Sequence, residues 1–174
     1  MALVANDDEI QDALERIADE LKPLVAGQTT AFIGLKSRGD LVAERLVTLL
    51  AEDDTATLLL GALDVSLYRD DLSRFKESPA LLGTEIDFAL DDVNVVLVDD
   101  VLYTGRTIRA ALDALTDYGR PSRISLAVLV DRGHRELPIA PNFVGICLET
   151  SKEDNIKVHL GHELEHESIE LNPV

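Results

Sequence analysis

Cysteine is nearly absent from this chain. Its one example in 174 residues, Cys147, excludes an internal disulfide and a cysteine-based zinc cluster. A lone cysteine of this kind is expected as a small core residue. Long apolar runs are absent too: none reaches the roughly 18 residues of a membrane span. The start, Met1-Ala2-Leu3-Val4, turns acidic at once and lacks the basic region of a signal peptide. A cytoplasmic protein with no membrane partner is the expectation. Basic residues are scarce, 16 Lys and Arg against 33 Asp and Glu, for a net charge of −17. That balance opposes nucleic-acid binding, which rests on neutralised phosphates, and leaves room only for a local basic patch. No internal repeat, low-complexity linker or domain boundary interrupts the chain. With 46% hydrophobic residues, it has the material for one domain over residues 1–174 with a full core.

What is present centres on Val95-Val96-Leu97-Val98-Asp99-Asp100-Val101-Leu102-Tyr103-Thr104-Gly105-Arg106-Thr107. Val95 to Val98 read as a buried strand with two carboxylates at its carboxyl end. Ile108, Ala111, Leu112 and Leu115 then follow a helical period. In open α/β sheets, ligands bind outside the carboxyl ends of strands. Thr104 to Thr107 put free backbone N–H groups at a helix N-terminus, and Gly105 lets the backbone approach closely. Together they make an anion cradle suited to phosphate. Asp99 and Asp100 would repel a phosphate, so they suit a sugar diol or a Mg²⁺ that accompanies one. The pattern therefore points to a phosphorylated sugar. A plain strand–turn–helix with a capping Thr is the bland alternative. A second strand-to-helix turn, Lys36-Ser37-Arg38-Gly39, carries cations and a Gly and reads as another anion site.

The run Asp99 to Thr107 resembles the 5-phosphoribosyl-1-diphosphate (PRPP) motif of the phosphoribosyltransferases. Its full wording is similar to that of the PyrR family, bifunctional proteins with uracil phosphoribosyltransferase and pyrimidine-operon regulatory activity. The resemblance extends over nearly the whole chain. It recurs at Ile33-Gly34-Leu35-Lys36-Ser37-Arg38-Gly39, at Leu67-Tyr68-Arg69-Asp70-Asp71-Leu72-Ser73, and at Val128-Leu129-Val130-Asp131-Arg132-Gly133-His134-Arg135-Glu136-Leu137-Pro138. It implies a type I phosphoribosyltransferase fold: an α/β domain with a central parallel sheet, flanking helices and a small C-terminal β hood over about 138–174. By the same resemblance Lys36, Ser37, Arg38 and Gly39 form the pyrophosphate loop. Asp99, Asp100, Val101, Leu102, Tyr103, Thr104, Gly105, Arg106 and Thr107 hold the rest of PRPP, and Asp131 and Arg132 hold the base. A homo-oligomer, dimer or tetramer, is implied as well.

The pattern of elements agrees. Asn6 to Val25 reads as a helix with Ile10, Leu14, Ile17, Leu21 and Leu24 on one face, an Asn6–Glu9 capping box and a disturbing Pro23 near its end. Thr29–Leu35 is an expected strand, Arg38–Leu50 a helix, Thr57–Tyr68 a long strand and Ile86–Leu90 a short one. The 104–118 helix stops at Gly119 with Pro121 beyond, and Ser122–Val130 is the next strand. Phe143–Leu148, Ile156–Leu160 and Ser168–Leu171 are assigned to the hood. Strands alternating with helices argue a parallel sheet. Residues 69–84 have little periodicity. Beside a PRPP site they are expected to form a lid that excludes water, with Arg69 meeting the pyrophosphate on closure, rather than a surface excursion.

Transfer from PRPP breaks a C–O bond and leaves positive charge on the ribose ring. The leaving pyrophosphate needs cations, for which Lys36, Arg38 and Mg²⁺ are suited; the diol and 5′-phosphate need fixing; and the base nitrogen must be held at the anomeric carbon. Asp99, Asp100, Arg38 and Arg132 are the expected catalytic residues, and Asp99, Asp100 and Asp131 the expected Mg²⁺ ligands. The expected reaction is uracil plus PRPP giving UMP and diphosphate. A purine base, or a UMP-responsive RNA-binding attenuator of pyrimidine genes, are the alternatives.

Two histidine patterns need weighing. His162-Glu163-Leu164-Glu165-His166 matches the zinc-protease pattern, but follows Gly161 and has no third ligand at a known spacing; a polar turn between strands is the better reading. His134, beside Arg132 and Arg135, either does acid–base chemistry or only packs and hydrogen-bonds. Many PyrR proteins bind messenger RNA through the first helix and the hood, and this sequence departs there. The family's Thr-Arg-Ile-Ala-His is Glu15-Arg16-Ile17-Ala18-Asp19. A usual Arg is Ala140, and the usual Gly-Lys-Asn-Xaa-Pro-Thr-Ser is Gly145-Ile146-Cys147-Leu148-Glu149-Thr150-Ser151. Of the basic footprint His134 and Arg135 remain, so RNA binding is expected to be lost or much altered.

Overall fold

A computed structural model describes residues 2–52, 55–66, 83–161 and 165–173. The expected lid, with Arg69, lies outside these residues except for Gly83 and Thr84, and so do His162, Glu163 and Leu164. The chain opens with β1 (Ala2–Ala5) and α1 (Asp7–Val25). The Asn6 side chain accepts from the Glu9 N–H at 3.0 Å, and the Glu9 carboxylate accepts from the Asn6 N–H at 2.9 Å. That capping box satisfies two orphan donors, and Asp7, Asp8 and Glu9 place negative charge on the positive end of the helix. Pro23 sits in the last turn, and the helix ends at Val25.

There follow β2 (Thr29–Leu35), α2 (Gly39–Leu50), β3 (Thr57–Leu63), β4 (Asn94–Leu102), α3 (Arg106–Leu115), a 3₁₀ turn (Thr116–Tyr118) and β5 (Arg123–Asp131). The chain closes with β6 (Phe143–Cys147), β7 (Asn155–His159) and β8 (Ser168–Asn172). Five strands form one parallel sheet in the order β3-β2-β4-β5-β6. One face packs Phe32, Val96, Val98, Ala127 and Leu129 against the apolar stripes of α1 and α2. The other packs Ile33, Val95, Leu97, Leu126 and Val128 against Ile108, Ala111 and Leu115 of α3. Both faces of the central strands are covered, which is why they read as unbroken apolar runs. The carboxyl ends of β2, β4 and β5 lie on one edge, and the strand order reverses between β2 and β4, where such sheets bind ligands.

Several expectations change in detail. Phe143–Cys147 is a strand, but it extends the parallel sheet beside β5 instead of joining the hood. The small antiparallel sheet is β1-β8-β7, so its third strand comes from the N-terminus. Residues 86–90 are not a strand; only Glu85 bridges Ala62. Cys147 is exposed rather than in the core, because β6 is an edge strand and Cys147 ends it. The long strand from Thr57 ends at Leu63, and the helix starting near 104 is regular only over Arg106–Leu115. Among the described residues no helix is long and apolar enough to cross a membrane.

Candidate active site

The turn after β2 is pressed against β4. A Cβ on Gly39 would lie 2.6 Å from the Val98 carbonyl oxygen and 3.0 Å from Asp99 Cα, and one on Gly34 would collide with the backbone of Asp40. These two glycines let Lys36, Ser37 and Arg38 approach the carboxylate pair. Arg38 has φ 137°, a left-handed conformation costly for a side-chain-bearing residue, and the Lys36–Ser37 peptide is cis. The Asp40 carboxylate accepts from the N–H groups of Arg38 (2.9 Å) and Leu41 (3.1 Å), which fixes the turn. Lys36 Nζ reaches Glu85 at 3.2 Å.

Asp99 and Asp100 lie inside β4, three and two residues from its end, rather than beyond it. Asp99 Oδ1 accepts from the Asp100 N–H at 3.0 Å, and Asp100 Oδ1 from the Val101 N–H at 2.9 Å. Such local bonds compete with the sheet ladder. The side-chain alternation lapses here: Val96, Val98 and Val101 pack toward α1 and α2, whereas Val95, Leu97 and Leu102 pack toward α3. Asp99 is only 7% exposed. Burial pushes the Asp100 carboxyl above the ordinary carboxylate range; the Val101 N–H, Asp99 and the Arg38 charge pull it down without prevailing. The influence of Arg38 on Asp100 brings the first turn and the Asp pair into one site.

The turn after β4 leads directly into α3. Gly105, at φ 89°, precedes α3, and the helix N-terminus has no side-chain cap. A Cβ at Gly105 would meet Ile139 at 3.3 Å, so glycine serves both the turn and the packing. Arg106 pairs with Glu136 at 2.8 Å on the surface, and the Glu136 N–H donates to the Thr104 carbonyl at 3.0 Å. The Arg106 N–H donates to the Thr104 hydroxyl at 3.4 Å, so the positive dipole end of α3 lies in the turn that follows the Asp pair.

The third turn, after β5, brings in Asp131 and Arg132. Arg132 is 6% exposed. Its guanidinium lies 4.2 Å from the centre of the Tyr103 ring, Nη2 donates to the Ser151 carbonyl at 2.8 Å, and Nε is buried without a partner among the described residues. A buried donor without an acceptor is costly, and an acceptor brought by a ligand would relieve it. Asp131 is bonded within its own turn. Its Oδ2 is taken by Arg135 at 2.6 Å and its Oδ1 by the Gly133 N–H at 2.9 Å. It does not join Asp99 and Asp100 in a metal-binding group; among the described residues no three His, Cys, Asp or Glu side chains do so. Arg135 also donates to the carbonyls of Tyr103 (2.8 Å) and Ile139 (3.0 Å), so it is an internal strut rather than a surface cation. His134 Nε2 donates to the Thr150 carbonyl, 2.6 Å away. The contribution of residues 150–152 left no sequence signal, because it is made by backbone carbonyls.

Of the segments singled out as departures, those on α1 and β6 sit together. α1 packs on β6 so closely that a Cβ on Gly145 would touch Ala13 and Ile17 at 3.2 Å, and Arg16 donates to the Gly145 carbonyl at 2.8 Å. Glu15 and Asp19 are exposed on that helix, while Ile17 and Ala18 are core. His166 is exposed and lies 3.5 Å from Asp7.

Comparison with known proteins fits this geometry. The family model described as phosphoribosyl transferase domain matches residues 5–166. A Deinococcus radiodurans protein named bifunctional protein PyrR is 52% identical over 160 residues, covering 91% of this chain and 87% of that one. A Roseiflexus protein of the same name is 49% identical over 163 residues, 93% of this chain and 88% of that one. Among solved structures, a hypoxanthine phosphoribosyltransferase from Staphylococcus aureus superposes with TM-score 0.67 at 17% identity, over 86% of this chain and 79% of that one. A purine phosphoribosyltransferase from Pyrococcus horikoshii gives TM-score 0.60 at 21% identity, over 83% and 85%. These two likenesses concern the fold.

Proposed function

Because the chain belongs to the phosphoribosyltransferase family, within its PyrR branch, it is a phosphoribosyltransferase, and we propose that uracil is its acceptor, with UMP and diphosphate as products. The observation that carries this reading is the Asp99–Asp100 pair, Asp99 buried and Asp100 half-buried, set between the turn at Lys36–Gly39 and the start of α3. The α3 amides with Thr104 and Thr107 take the 5′-phosphate. Asp99 and Asp100 fix the ribose hydroxyls, and their negative charge favours the cationic ring of the transition state. Lys36, Arg38 and the amides of their turn receive the charge that develops on the leaving diphosphate. The C1–O bond breaks with its electron pair going to the diphosphate, and the base nitrogen forms the new bond at C1 while its N–H proton passes to the departing diphosphate. Arg132 and the backbone around it hold the base.

Mg²⁺ fits these residues in one form only. It is commonly held by one or two carboxylates plus substrate phosphate oxygens, which Asp99 and Asp100 with a diphosphate provide and an all-protein cage would not. When bound it supplies positive charge to the diphosphate oxygens. A homo-oligomer belongs to the same reading. RNA regulation is a second reading, carried by the name of the relatives; exposed Glu15 and Asp19, and the bonding of Arg135 to Asp131 and two carbonyls, weigh against it.

Incubation of the protein with PRPP, Mg²⁺ and labelled uracil, hypoxanthine, guanine or adenine tests the proposal. UMP as the sole nucleotide is expected. A purine nucleotide instead would keep the chemistry and move the specificity, and no product from any base would overturn the enzymatic reading.

A further inference from the structure

Residues 150–152 belong to no helix or strand, so their backbone acceptors need partners from elsewhere. Three successive carbonyls find side chains. Thr150 O faces His134 Nε2 at 2.6 Å, Ser151 O accepts from Arg132 Nη2 at 2.8 Å, and Lys152 O accepts from the Tyr103 hydroxyl at 3.1 Å. The three side chains also touch one another. The Arg132 guanidinium lies over the Tyr103 ring at 4.2 Å, and the His134 ring meets Tyr103 edge-on at 6.1 Å. The Thr150 hydroxyl donates back to the Arg132 carbonyl at 3.0 Å. Tyr103 is the centre of this group. It belongs to the turn that leads into α3, and its own carbonyl is held by Arg135 at 2.8 Å.

We propose that Tyr103, Arg132 and His134 form a three-point clamp on the backbone of residues 150–152, and that this clamp sets the wall against which the base is read. The inference rests on the proposed reaction for the identity of the base. Tyr103 is then a positioning residue. Its backbone lies in the phosphate-binding turn, its ring carries Arg132, and its hydroxyl holds the wall. Side chains of Ser151, Lys152 and Glu153 are exposed, so the wall is placed by its main chain and not by packing of its side chains. His134, whose role the sequence left open between acid–base chemistry and hydrogen bonding, falls to hydrogen bonding.

Tyr103→Phe removes one O–H and keeps the ring under Arg132. One such hydrogen bond corresponds to a two- to tenfold effect, roughly. The variant is expected to raise the KM for uracil and weaken UMP binding by about that factor, with the KM for PRPP moving by about twofold at most. Amide hydrogen exchange over residues 150–155 should quicken. His134→Leu should do the same, and His134→Gln, which keeps a donor at similar reach and the same backbone cost, should recover much of the loss. Uracil and PRPP KM values rising together, or unchanged exchange over 150–155 in Tyr103→Phe, would overturn the clamp. If the wild-type protein neither forms nor binds UMP, the uracil reading fails by itself. The clamp is then decided by exchange alone, faster in both disabling variants if it exists and unchanged if it does not.

Discussion

Replacing Asp100 by Asn separates the chemistry of the site from its contribution to folding. The amide keeps an oxygen for the Val101 N–H, now bonded at 2.9 Å, and removes the negative charge. A unit charge about 4 to 5 Å from a cationic ribose ring contributes roughly 3–4 kcal/mol at an effective dielectric near 20. At about 1.4 kcal/mol per tenfold in rate, that amounts to a loss of two to three orders of magnitude, roughly, in turnover. Stability should move the other way. Burial holds the Asp100 carboxyl above its ordinary range, so the folded state binds its proton more tightly than the unfolded state does. For such a group the destabilisation is full above the folded pKa, fades as pH falls through it, and is absent below the ordinary carboxylate value. Asp100→Asn should therefore melt at or above the wild-type temperature at neutral pH, and the difference should vanish in acid. UMP formation and thermal melts at neutral and acidic pH measure both. Near-normal turnover, or a variant less stable at neutral pH, would refute the reasoning.

Three other outcomes follow from the same geometry. Gly39→Ala forces a Cβ to 2.6 Å from the Val98 carbonyl oxygen; a cost of about 1–3 kcal/mol in urea unfolding is expected, with loss of activity, and a neutral substitution would deny the close approach of this turn to β4. Arg135→Gln gives up the 2.6 Å pair with Asp131 along with bonds to Tyr103 and Ile139; it should lose about 1.5–3 kcal/mol or more by the same assay, and a stable variant would return Arg135 to the surface role. With a net charge of −17 and acids exposed on α1, no tight, salt-sensitive binding to a pyrimidine leader RNA is expected in a filter or anisotropy titration; submicromolar affinity at physiological salt would contradict it.

The elements that position the site were legible because each is written in local chemistry. The Asn6–Glu9 cap, the unbroken run before Asp99 and the glycine before α3 all specify their conformation within a few residues. What was hidden depends on distant partners. Ala2–Ala5 is too short to announce itself as a strand and is one because Ile169 and Leu171 pair with it. Phe143–Cys147 has the same pattern whether it joins the hood or the main sheet, and only its register with Ala127–Asp131 decides. Cys147 follows from that choice, since an edge strand exposes one side. The pairing of Asp131 with Arg135, four residues on, was not foreseen, since both were assigned to other roles. The lapse of alternation at Asp99–Val101 and the clamp on residues 150–152 both come from side chains bonding to backbone, which no spacing rule reveals.

A crystal structure of the protein with PRPP and Mg²⁺ tests the central claim most directly. The account expects the 5′-phosphate on the amides of residues 105–107, the ribose hydroxyls against Asp99 and Asp100, and the diphosphate at the turn of Lys36–Gly39. A phosphate bound elsewhere, or a ribose turned away from the Asp pair, would contradict it.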